Sequence, residues 1–291
     1  MKKVAFLSID NVHDFEYFDH LLFEPLNNLG WIVDEVSWRN KYVNWNTYDA
    51  VIVRSTWDYQ SDPDNFLNVL SEIDNSSAHL ENNLSLLKWN MSKRYLYDLE
   101  KMGIRIVKTM WHKEFSSNNI ADLFEYHNDD EIIIKPTISA CAENTFRLTQ
   151  NNLSTQISTL QSIFNKREFM VQPFMKSIVE EGEFSLLFFN GQYSHTNLKK
   201  PKTNDFRVQA EHGGIFKKVE PDIDLLKCAE NIISKINPTP LYGRVDLVRT
   251  EENDFALMEL ELIEPSLYLQ IDEEAPERFA KAFDTRMKNH S

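Results

Sequence analysis

Three carboxylates and an arginine recur at strand spacing near the C-terminal end of the sequence. The apolar segment 242–248 carries Arg244 and Asp246, and the next apolar segment carries Glu259 and Glu261. Side chains two residues apart on a strand leave the same face, so Glu259 and Glu261 point the same way. If the two segments pair, the carboxylates meet among leucines, where they repel one another unless a cation lies between them. The pattern therefore predicts a Mg²⁺ site formed by Asp246, Glu259 and Glu261.

A surface strand with a solvated acidic side is the alternative interpretation of Glu259 and Glu261, and taken alone such a pair favours it. The neighbouring Arg244 favours the metal site, because a guanidinium beside a metal cluster is what the transfer of a phosphoryl group requires. Glu264, directly before Pro265, is a further candidate ligand. Its alternative is an exposed residue at the end of a strand.

Two lysines precede these carboxylates in the chain. Lys135 ends the apolar segment 132–134 and is followed by Pro136, which prevents a strand ladder from continuing. A cation at the end of a buried strand can point into a cleft. Lys93 lies on a helix predicted to follow Asn90. Each lysine alone is more often a solvated surface residue, and their joint position before the acidic cluster favours a shared site.

A further cluster of positive charge lies between residues 199 and 212 of an otherwise acidic chain. It contains Lys199, Lys200, Arg207 and His212. Such a group suits a phosphate or carboxylate ligand, and Arg207 is the preferred member because a guanidinium presents a bidentate fork. We take Arg207 and Lys200 as candidate catalytic residues. A solvated loop is the alternative.

A polar and aromatic segment, residues 54–59, follows a short apolar run in the N-terminal third. Open α/β sheets bind ligands at the carboxyl ends of their strands, so this segment is a candidate for substrate contact. A capping turn ahead of the next helix is an equally good interpretation.

The composition narrows the class of protein. The chain has 291 residues and a formal net charge of −14, which disfavours a nucleic-acid partner because phosphate backbones need a basic face. Its two cysteines, Cys141 and Cys228, make no disulfide framework and fit a reducing compartment. The first apolar run is too short for a signal peptide, and no apolar stretch approaches membrane-spanning length. We therefore expect a cytoplasmic protein without a membrane partner.

The elements that must position these residues begin with alternating strands and helices. Strands are predicted at residues 4–9, 31–38 and 50–53, and helices at residues 15–28 and 63–73. This order is typical of an open α/β sheet. No Gly-x-Gly-x-x-Gly follows the first strand, so a dinucleotide-dependent dehydrogenase is disfavoured.

From residue 90 onward the pattern changes. A helix capped by Asn90 is predicted to run through Met102 and to end at Gly103. Asn190 and Gly191 predict a two-residue β-hairpin turn. The remaining strands are predicted at residues 104–109, 131–134, 169–172, 184–189, 192–198, 241–249 and 255–263, and the remaining helices at residues 153–164, 222–236 and 276–287.

Taken as an ordered set, these segments resemble the ATP-grasp ligases, such as D-alanine–D-alanine ligase. Residues 243–246, Gly-Arg-Val-Asp, followed by Glu259-x-Glu261, are similar to the metal-binding end of that family, where Arg and Asp on one strand precede Glu-x-Asn on the next. The similarity is strongest to the branch that contains the O-ureido-serine cyclo-ligase of cycloserine biosynthesis. It covers nearly the whole chain and is carried by residues 54–59, 182–185, 205–209 and 258–266.

The resemblance implies a role for each candidate residue. Asp246, Glu259 and Glu261 would hold Mg²⁺, and Arg244 would stabilise an acyl-phosphate and the tetrahedral intermediate formed from it. The nucleotide would be bound at its phosphates by Lys93 and Lys135, at its ribose by Glu183, and at its adenine by a hinge composed of Gln172, Pro173, Phe174 and Met175. An ordinary strand with an acidic turn is the alternative to this hinge.

The sequence departs from the family pattern at two places. Glu261 stands where the family has Asn, which adds a negative charge to the metal site. The loop after Pro136, residues 137–145, lacks the glycines of the family's phosphate-covering loop. Its small and hydroxyl-bearing residues can still offer backbone N–H groups to phosphate, and we place Ser139 in the nucleotide site on that ground.

The fold class implied is α/β and α+β, an ATP-grasp fold with an N-terminal open α/β domain and two lobes that clasp ATP. We predict domains at residues 1–88, 89–170 and 171–291. The expected activity is Mg²⁺-ATP-dependent, ADP-forming ligation of a small-molecule carboxylate to an amino-acid-like nucleophile, in a chain that can form a homo-oligomer. A kinase-like phosphotransferase and a non-catalytic nucleotide-binding module are the alternatives.

Overall fold

The structure is a computed structural model that describes residues 1–12, 15, 17–116, 120–127, 129–140, 142–203, 205–208 and 213–289. Cys141 and His212, both considered from the sequence, lie outside these described residues. Three sheets organise the chain, and they follow one another in sequence. None of the described helices has the length and apolar character needed to cross a membrane.

The first sheet is entirely parallel, as the alternating pattern predicts. Its strands lie in the order β2-β1-β3-β4. They are β1 (Lys2–Ser8), β2 (Trp31–Ser37), β3 (Ala50–Ser55) and β4 (His79–Glu81), and the helices between them are α1 (Phe23–Asn28) and α2 (Pro63–Asp74). β1 and β3 are almost wholly buried, because helices cover both faces of a parallel sheet.

The first helix is shorter than the predicted 15–28. A 3₁₀ turn at Asp19–Leu22 precedes it, and α1 begins only at Phe23. Pro25 explains the difference, since proline lacks an N–H and is tolerated only in the first turn of a helix. Gly30 follows α1 with φ of +88°, the left-handed conformation expected after a helix end.

The second sheet is antiparallel, with the order β5-β8-β6-β7. Its strands are β5 (Met110–His112), β6 (Glu131–Pro136), β7 (Phe146–Thr149) and β8 (Phe169–Pro173), and it carries the helices α5 (Ile120–His127) and α6 (Leu153–Phe164). Ile132, Ile134, Leu148 and Phe169 bury one face of this sheet. The opposite face is directed toward the third sheet.

The third sheet is also antiparallel, with the order β11-β10-β9-β12-β13. Its strands are β9 (Glu183–Phe189), β10 (Gln192–Lys200), β11 (Ile215–Val219), β12 (Tyr242–Arg249) and β13 (Phe255–Glu261), with the helices α7 (Lys176–Glu180) and α8 (Ile223–Ser234). Asn190 and Gly191 both have positive φ, as the predicted two-residue hairpin between β9 and β10 requires. α8 packs against the apolar face of this sheet.

Asn90 ends one short helix, α3 (Leu84–Asn90), and the helix predicted from Asn90 to Met102 is confined to a second, α4 (Tyr95–Lys101). The side chain of Asn83, not that of Asn90, caps the first of them. Asn90 is 7% exposed and reaches the edge of β13, where it accepts from the Leu262 amide at 2.8 Å and donates to the Leu260 carbonyl at 2.9 Å. Asn90 therefore belongs to the sheet edge and not to a helix start.

The strand predicted at 104–109 is reduced to a single parallel bridge between Ile106 and Leu257. Hydrogen bonds from Val107 N to Leu257 O and from Leu257 N to Arg105 O flank this bridge. The ladder stops there because side chains occupy the rest of the β13 edge: Tyr95 accepts from the Leu260 amide at 2.9 Å, and Asn90 follows. Ile104, Ile106 and Val107 of this segment are buried, but the backbone partners that a longer strand would need are already taken.

The C-terminal helix, α9 (Ala275–Asn289), covers the first sheet. Phe279 and Phe283 share a buried cluster with Phe6 and Trp31 of that sheet. The indole of Trp31 also donates to Asp284 at 3.2 Å. The predicted division at residues 88 and 170 stays a prediction, and the end of the chain packs on its beginning.

Candidate active site

A cavity of about 570 Å³ opens where the three sheets meet. Its wall includes every predicted site residue except Lys200: Lys93, Lys135, Ser139, Gln172, Pro173, Phe174, Met175, Glu183, Arg207, Arg244, Asp246, Glu259 and Glu261. These residues come from segments up to 168 positions apart in the chain, since Lys93 and Glu261 line the same space. The fold thus gathers the polar residues that the sequence singled out.

The three predicted metal ligands lie together on one face of the third sheet. β12 and β13 pair with Asp246 opposite Glu259 and with Arg244 opposite Glu261. Each of the three carboxylates places an oxygen within 4.8 Å of the others. The intervening residues Val245 and Leu260 point into the core on the opposite face, as strand alternation requires.

Arg244 lies in the middle of this cluster. Its guanidinium donates to Asp246 at 3.0 Å, to Glu261, and to the Ser266 carbonyl at 3.4 Å. Ser185, on the neighbouring strand β9, donates to Asp246 Oδ1 at 2.5 Å. Burial alone would raise the pKa of Asp246, but Arg244 and Lys199 hold it at about 2, so this carboxylate is ionised at neutral pH.

The other two carboxylates have different pKa values because their cations differ. Burial would raise the pKa of Glu259, but Lys93, at 2.8 Å, and Lys135 lower it overall. Burial raises the pKa of Glu261 to about 7, with Arg244 opposing the shift and the charges of Glu259 and Asp246 adding to it. Of the three carboxylates, Glu261 is thus the one whose charge the neighbouring cations compensate least.

The two predicted lysines enter the cavity from the second sheet and from the start of α4. Lys93 donates to the Ser139 carbonyl at 2.9 Å as well as pairing with Glu259, so it ties the 137–145 loop to the carboxylates. Lys135 lies with its Nζ 3.8 Å from Met258 Sδ. Burial lowers the pKa of Lys135, while the charge of Glu259 opposes that shift. Lys93 thus contacts the acidic cluster directly, and Lys135 lies in the same cavity wall.

A third lysine in the site is Lys199, which the sequence analysis passed over in favour of Lys200. Lys199 is 4% exposed; its Nζ pairs with Glu183 and lies 3.1 Å from Asp246 Oδ2. Burial would lower the pKa of Lys199, but Asp246 and Glu183 raise it overall. Lys200 is exposed and donates only to the Glu180 carbonyl, at 3.5 Å. Its predicted catalytic role stays untested, but its side chain lies outside the cavity wall.

A β-bulge explains why Lys199, and not Lys200, lies in the cavity. The hairpin pairs Phe189 with Gln192 and Phe188 with Tyr193, and the register then shifts before His195. Continued without the shift, the pairing would place Leu198 opposite Glu183 and direct Lys200 to the face of Glu183. The extra residue reverses the alternation, so Lys199 is opposite Glu183 instead.

The predicted hinge lies at the apolar end of the cavity. Phe174 is buried beneath the guanidinium of Arg147, 3.7 Å from its ring, and its amide donates to the Glu131 carbonyl at 3.0 Å. Gln172 donates to Thr109 at 3.0 Å. Because the Phe174 amide already donates to β6, adenine would have to form its hydrogen bonds with the backbone that follows Phe174. Ile133, Ile178 and Met258 supply an apolar lining here.

Arg207 borders the cavity but is engaged by its own neighbour. Its guanidinium lies 2.9 Å from Asp205 Oδ2, and its side chain is 36% exposed. Hydrogen bonding from Arg207 is the main reason that the pKa of Asp205 lies well below its usual range. A substrate carboxylate would therefore have to compete with Asp205 for Arg207.

The predicted 54–59 segment divides into two groups. Trp57 and Tyr59 line the cavity. Arg54 is buried, donates to Asp19 at 2.9 Å and does not line the cavity, and Asp58 pairs with Arg39 at 2.8 Å. The aromatic residues of the segment face the site, and the charged residues form ion pairs that stabilise the fold.

Asn90 and Tyr95 are positioning residues that the sequence analysis did not identify as such. Together they occupy the β13 backbone on both sides of Glu261. Replacing Asn90 with alanine leaves the Leu260 carbonyl and the Leu262 amide unsatisfied in a buried position. We expect a loss of about 2–4 kcal/mol in the free energy of unfolding, measured by urea denaturation. The exposed Asn75→Ala variant is the control, with an expected change of about 0.5 kcal/mol or less; equal losses in both would contradict this role for Asn90.

Two family models match the chain. Residues 100–272, more than half of the chain, match the prokaryotic glutathione synthetase ATP-grasp domain, and residues 4–82 match the N-terminal domain of D-cycloserine synthetase DcsG. The chain therefore belongs to the ATP-grasp family. The predicted fold and enzyme class are confirmed: it is an ADP-forming ATP-grasp ligase, of the class that joins a carboxylate to an amine.

The similarity to individual proteins agrees with the predicted branch. The chain is 28% identical over 284 residues to the cycloserine biosynthesis protein DcsG of Streptomyces lavendulae, covering 92% of this chain and 93% of that protein. The crystal structure of D-cycloserine synthetase DcsG matches with a TM-score of 0.85 at 24% identity, over 98% of this chain and 99% of that one. D-alanine–D-alanine ligase from Bacillus anthracis matches with a TM-score of 0.68 at 10% identity, over the whole of both chains.

Proposed function

We propose that this ligase uses Mg²⁺-ATP to phosphorylate the carboxylate of an amino-acid-like substrate and couples the resulting acyl-phosphate to an amine. The observation that carries the proposal is the cluster of Asp246, Glu259 and Glu261 with Arg244 among them, in a cavity whose wall also contains Lys93, Lys135 and Lys199. Among its structural neighbours, the ATP-grasp ligase PsnB was solved with Mg and ADP, at a TM-score of 0.68 and 12% identity over 98% of both chains.

The three carboxylates fit a magnesium ion by their chemistry. Mg²⁺ prefers hard oxygen ligands and is usually held by one or two carboxylates together with substrate phosphates. Asp246, Glu259 and Glu261 offer such oxygens within 4.8 Å of one another on one face of the third sheet. Bound there, the ion would neutralise the charge that develops on the transferred phosphoryl group.

We assign the nucleotide to the remaining walls of the cavity. Lys93, Lys135 and Lys199 would contact its phosphates, and the backbone around Ser139 would cover them. Glu183 would accept from the ribose hydroxyls, and the adenine would lie among the hinge residues Gln172, Pro173, Phe174 and Met175. In the ligand-free protein these lysines pair with carboxylates instead. Nucleotide binding would therefore exchange one set of ion pairs for another and leave no buried charge unpaired.

We assign to Arg244 the stabilisation of the negative charge that would appear during acyl transfer. Its guanidinium is fixed by three partners and lines the cavity beside the carboxylates. Preorganised donors at such a position stabilise a transition state more than a ground state. Arg207 lines the same cavity and would contribute to binding the substrate carboxylate. We further propose a cytoplasmic location, which the low cysteine content supports, and leave homo-oligomer formation as a prediction.

The proposal is tested by titrating the protein with ATP in a calorimeter, with Mg²⁺ or with EDTA. We expect ATP to bind at least roughly tenfold more weakly in EDTA, because the carboxylate cluster then faces the phosphates without a cation. In the Glu259→Gln variant, the difference in ATP affinity between Mg²⁺ and EDTA should be smaller. In Glu251→Gln, at an exposed turn, it should be unchanged. An affinity independent of Mg²⁺, or no release of ADP with any carboxylate and hydroxylamine as the amine, would refute the proposed function.

A further inference from the structure

The segment after β13 is held by side chains at five consecutive carbonyl groups. Tyr242 donates to the Ile263 carbonyl at 2.9 Å, and Trp57 donates to that of Glu264 at 3.3 Å. The carbonyls of residues 265, 266 and 267 contact Arg54 at 3.0 Å, Arg244 at 3.4 Å and the His195 ring at 2.9 Å. Strand ends without a regular partner are usually mobile, so this anchoring fixes the direction of the side chains that the segment presents to the cavity.

Glu264 is the acidic side chain that this anchored segment presents. It lines the same cavity as the carboxylate cluster but lies outside the group of three that could share one ion. Asp246, Glu259 and Glu261 each have a lysine or arginine nitrogen within 4.0 Å. Within the described part of the chain, no such nitrogen lies within 4.0 Å of the Glu264 carboxylate. A fourth carboxylate is thus left without a cation of its own.

The surroundings of Glu264 suit a positive charge from outside the chain. Trp57 and Tyr59 line the cavity beside it, and the indole is tied to the Glu264 backbone. Aromatic faces attract ammonium groups, and a carboxylate adds a charge-assisted hydrogen bond. Burial is the main reason that the pKa of Glu264 is raised to about 8; the charge of Glu261 adds to the shift, and that of Lys93 opposes it.

We propose that Glu264 and Trp57 form a subsite for the ammonium group of an amino-acid substrate whose carboxylate is activated at the adjoining metal cluster. This inference rests on the proposed function and makes Glu264 a specificity-determining residue. Glu264 would select substrates that carry an ammonium group near the reacting carboxylate and would reject their des-amino analogues. The anchoring by Arg54 and Arg244 would fix the spacing between the two ends of the substrate.

The test compares amino acids with their des-amino analogues. The full-length protein, Mg²⁺-ATP and hydroxylamine are incubated with the D- and L-forms of alanine and serine and of the other common amino acids. Propionate, 3-hydroxypropionate and the corresponding acids serve as the des-amino set, and hydroxamate and ADP are measured. We expect an amino acid to react with a kcat/KM at least roughly tenfold higher than that of its analogue, as a charge-assisted hydrogen bond provides.

The Glu264→Gln variant then identifies the residue. It is close to isosteric, and we expect the preference for the ammonium-bearing substrate to fall to within roughly threefold, mainly through KM. Glu273→Gln, at an exposed position nearby, should keep the wild-type preference. Thermal unfolding of both variants checks that they are folded.

The outcomes separate this inference from the proposed function. If Mg²⁺-dependent ATP binding is present but only des-amino acids react, or no amino acid reacts, the ammonium subsite is refuted and the nucleotide site stands. An unchanged preference in a folded Glu264→Gln variant also refutes it. If Mg²⁺-dependent ATP binding is itself absent, the proposed function fails first.

Discussion

Replacing Arg244 with lysine is expected to lower kcat by roughly 100- to 1,000-fold while changing the affinity for Mg²⁺-ATP only a few-fold. The guanidinium reaches Asp246, Glu261 and the Ser266 carbonyl at once because its donors form a planar fork. A lysine keeps the charge but presents one compact ammonium group, which cannot hold all three partners and still face the reacting carbonyl. The loss should therefore appear in the chemical step.

Lysine is a sharper substitution than alanine at this position. An alanine would leave the buried Asp246 and the half-buried Glu261 without their guanidinium, and breaking a buried pair costs about 3–5 kcal/mol of stability. A loss of activity would then be hard to separate from a loss of folded protein. Arg249→Lys is the matched control, since Arg249 ends the same strand and pairs with Glu181 at 2.9 Å outside the cavity.

The measurement is the rate of ADP release at saturating ATP, together with calorimetric titration of Mg²⁺-ATP into each variant. Arg249→Lys should keep its turnover within roughly twofold, as expected for a half-exposed pair. Turnover in Arg244→Lys that equals the control would remove Arg244 from the chemistry. A matching loss of ATP affinity would instead make it a nucleotide-binding residue.

The carboxylate cluster could be predicted because β12 and β13 keep a regular alternation of side chains over the residues that form it. The register between β12 and β13 also shifts, but only beyond Asp246. Arg244, Asp246, Glu259 and Glu261 all lie on the same side of that irregularity, so counting residues in steps of two gives the correct face. The order of the motifs along the chain then gave the family.

The lysine pair could not be predicted by the same counting. The bulge in β10 lies between the hairpin turn and the site, so the alternation counted from Asn190 and Gly191 is wrong by the time it reaches Lys199. No residue between them marks the bulge, since the segment 193–195 contains neither glycine nor proline. Tertiary pairing decides the register here, and local sequence does not report it.

A second wrong prediction arose because side chains can take the place of backbone hydrogen-bond partners at a strand edge. Asn90 has the residue type of a helix cap, and a cap is the usual role of an asparagine before an apolar helical pattern. In the fold its amide pairs with the β13 backbone in the way that a neighbouring strand would. Such a contact joins residues 170 positions apart, which local patterns do not contain.

Substituting methionine for Lys199 and, separately, for Lys200 tests the bulge argument at the level of function. We expect Lys199→Met to lower kcat/KM for ATP by roughly 100-fold, because it removes a charge-assisted contact to phosphate from a buried site. Lys200→Met should stay within roughly twofold, since Lys200 is exposed. The two changes are chemically identical, and thermal unfolding of both variants checks that each is folded, because removing the buried Lys199 takes a cation from Glu183 and Asp246.

The reason to expect so large a difference is the exchange of ion pairs on nucleotide binding. In the ligand-free protein Lys199 neutralises Glu183 and Asp246. If Asp246 held the metal ion and Glu183 the ribose, as proposed, the Lys199 ammonium would be released from both carboxylates and would be available to the phosphates. Removing it would leave phosphate charge uncompensated in a buried site, whereas removing Lys200 changes a solvated charge. Equal losses in the two variants, or a larger loss in Lys200→Met, would contradict both the register of β10 and the assignment of Lys199 to the nucleotide.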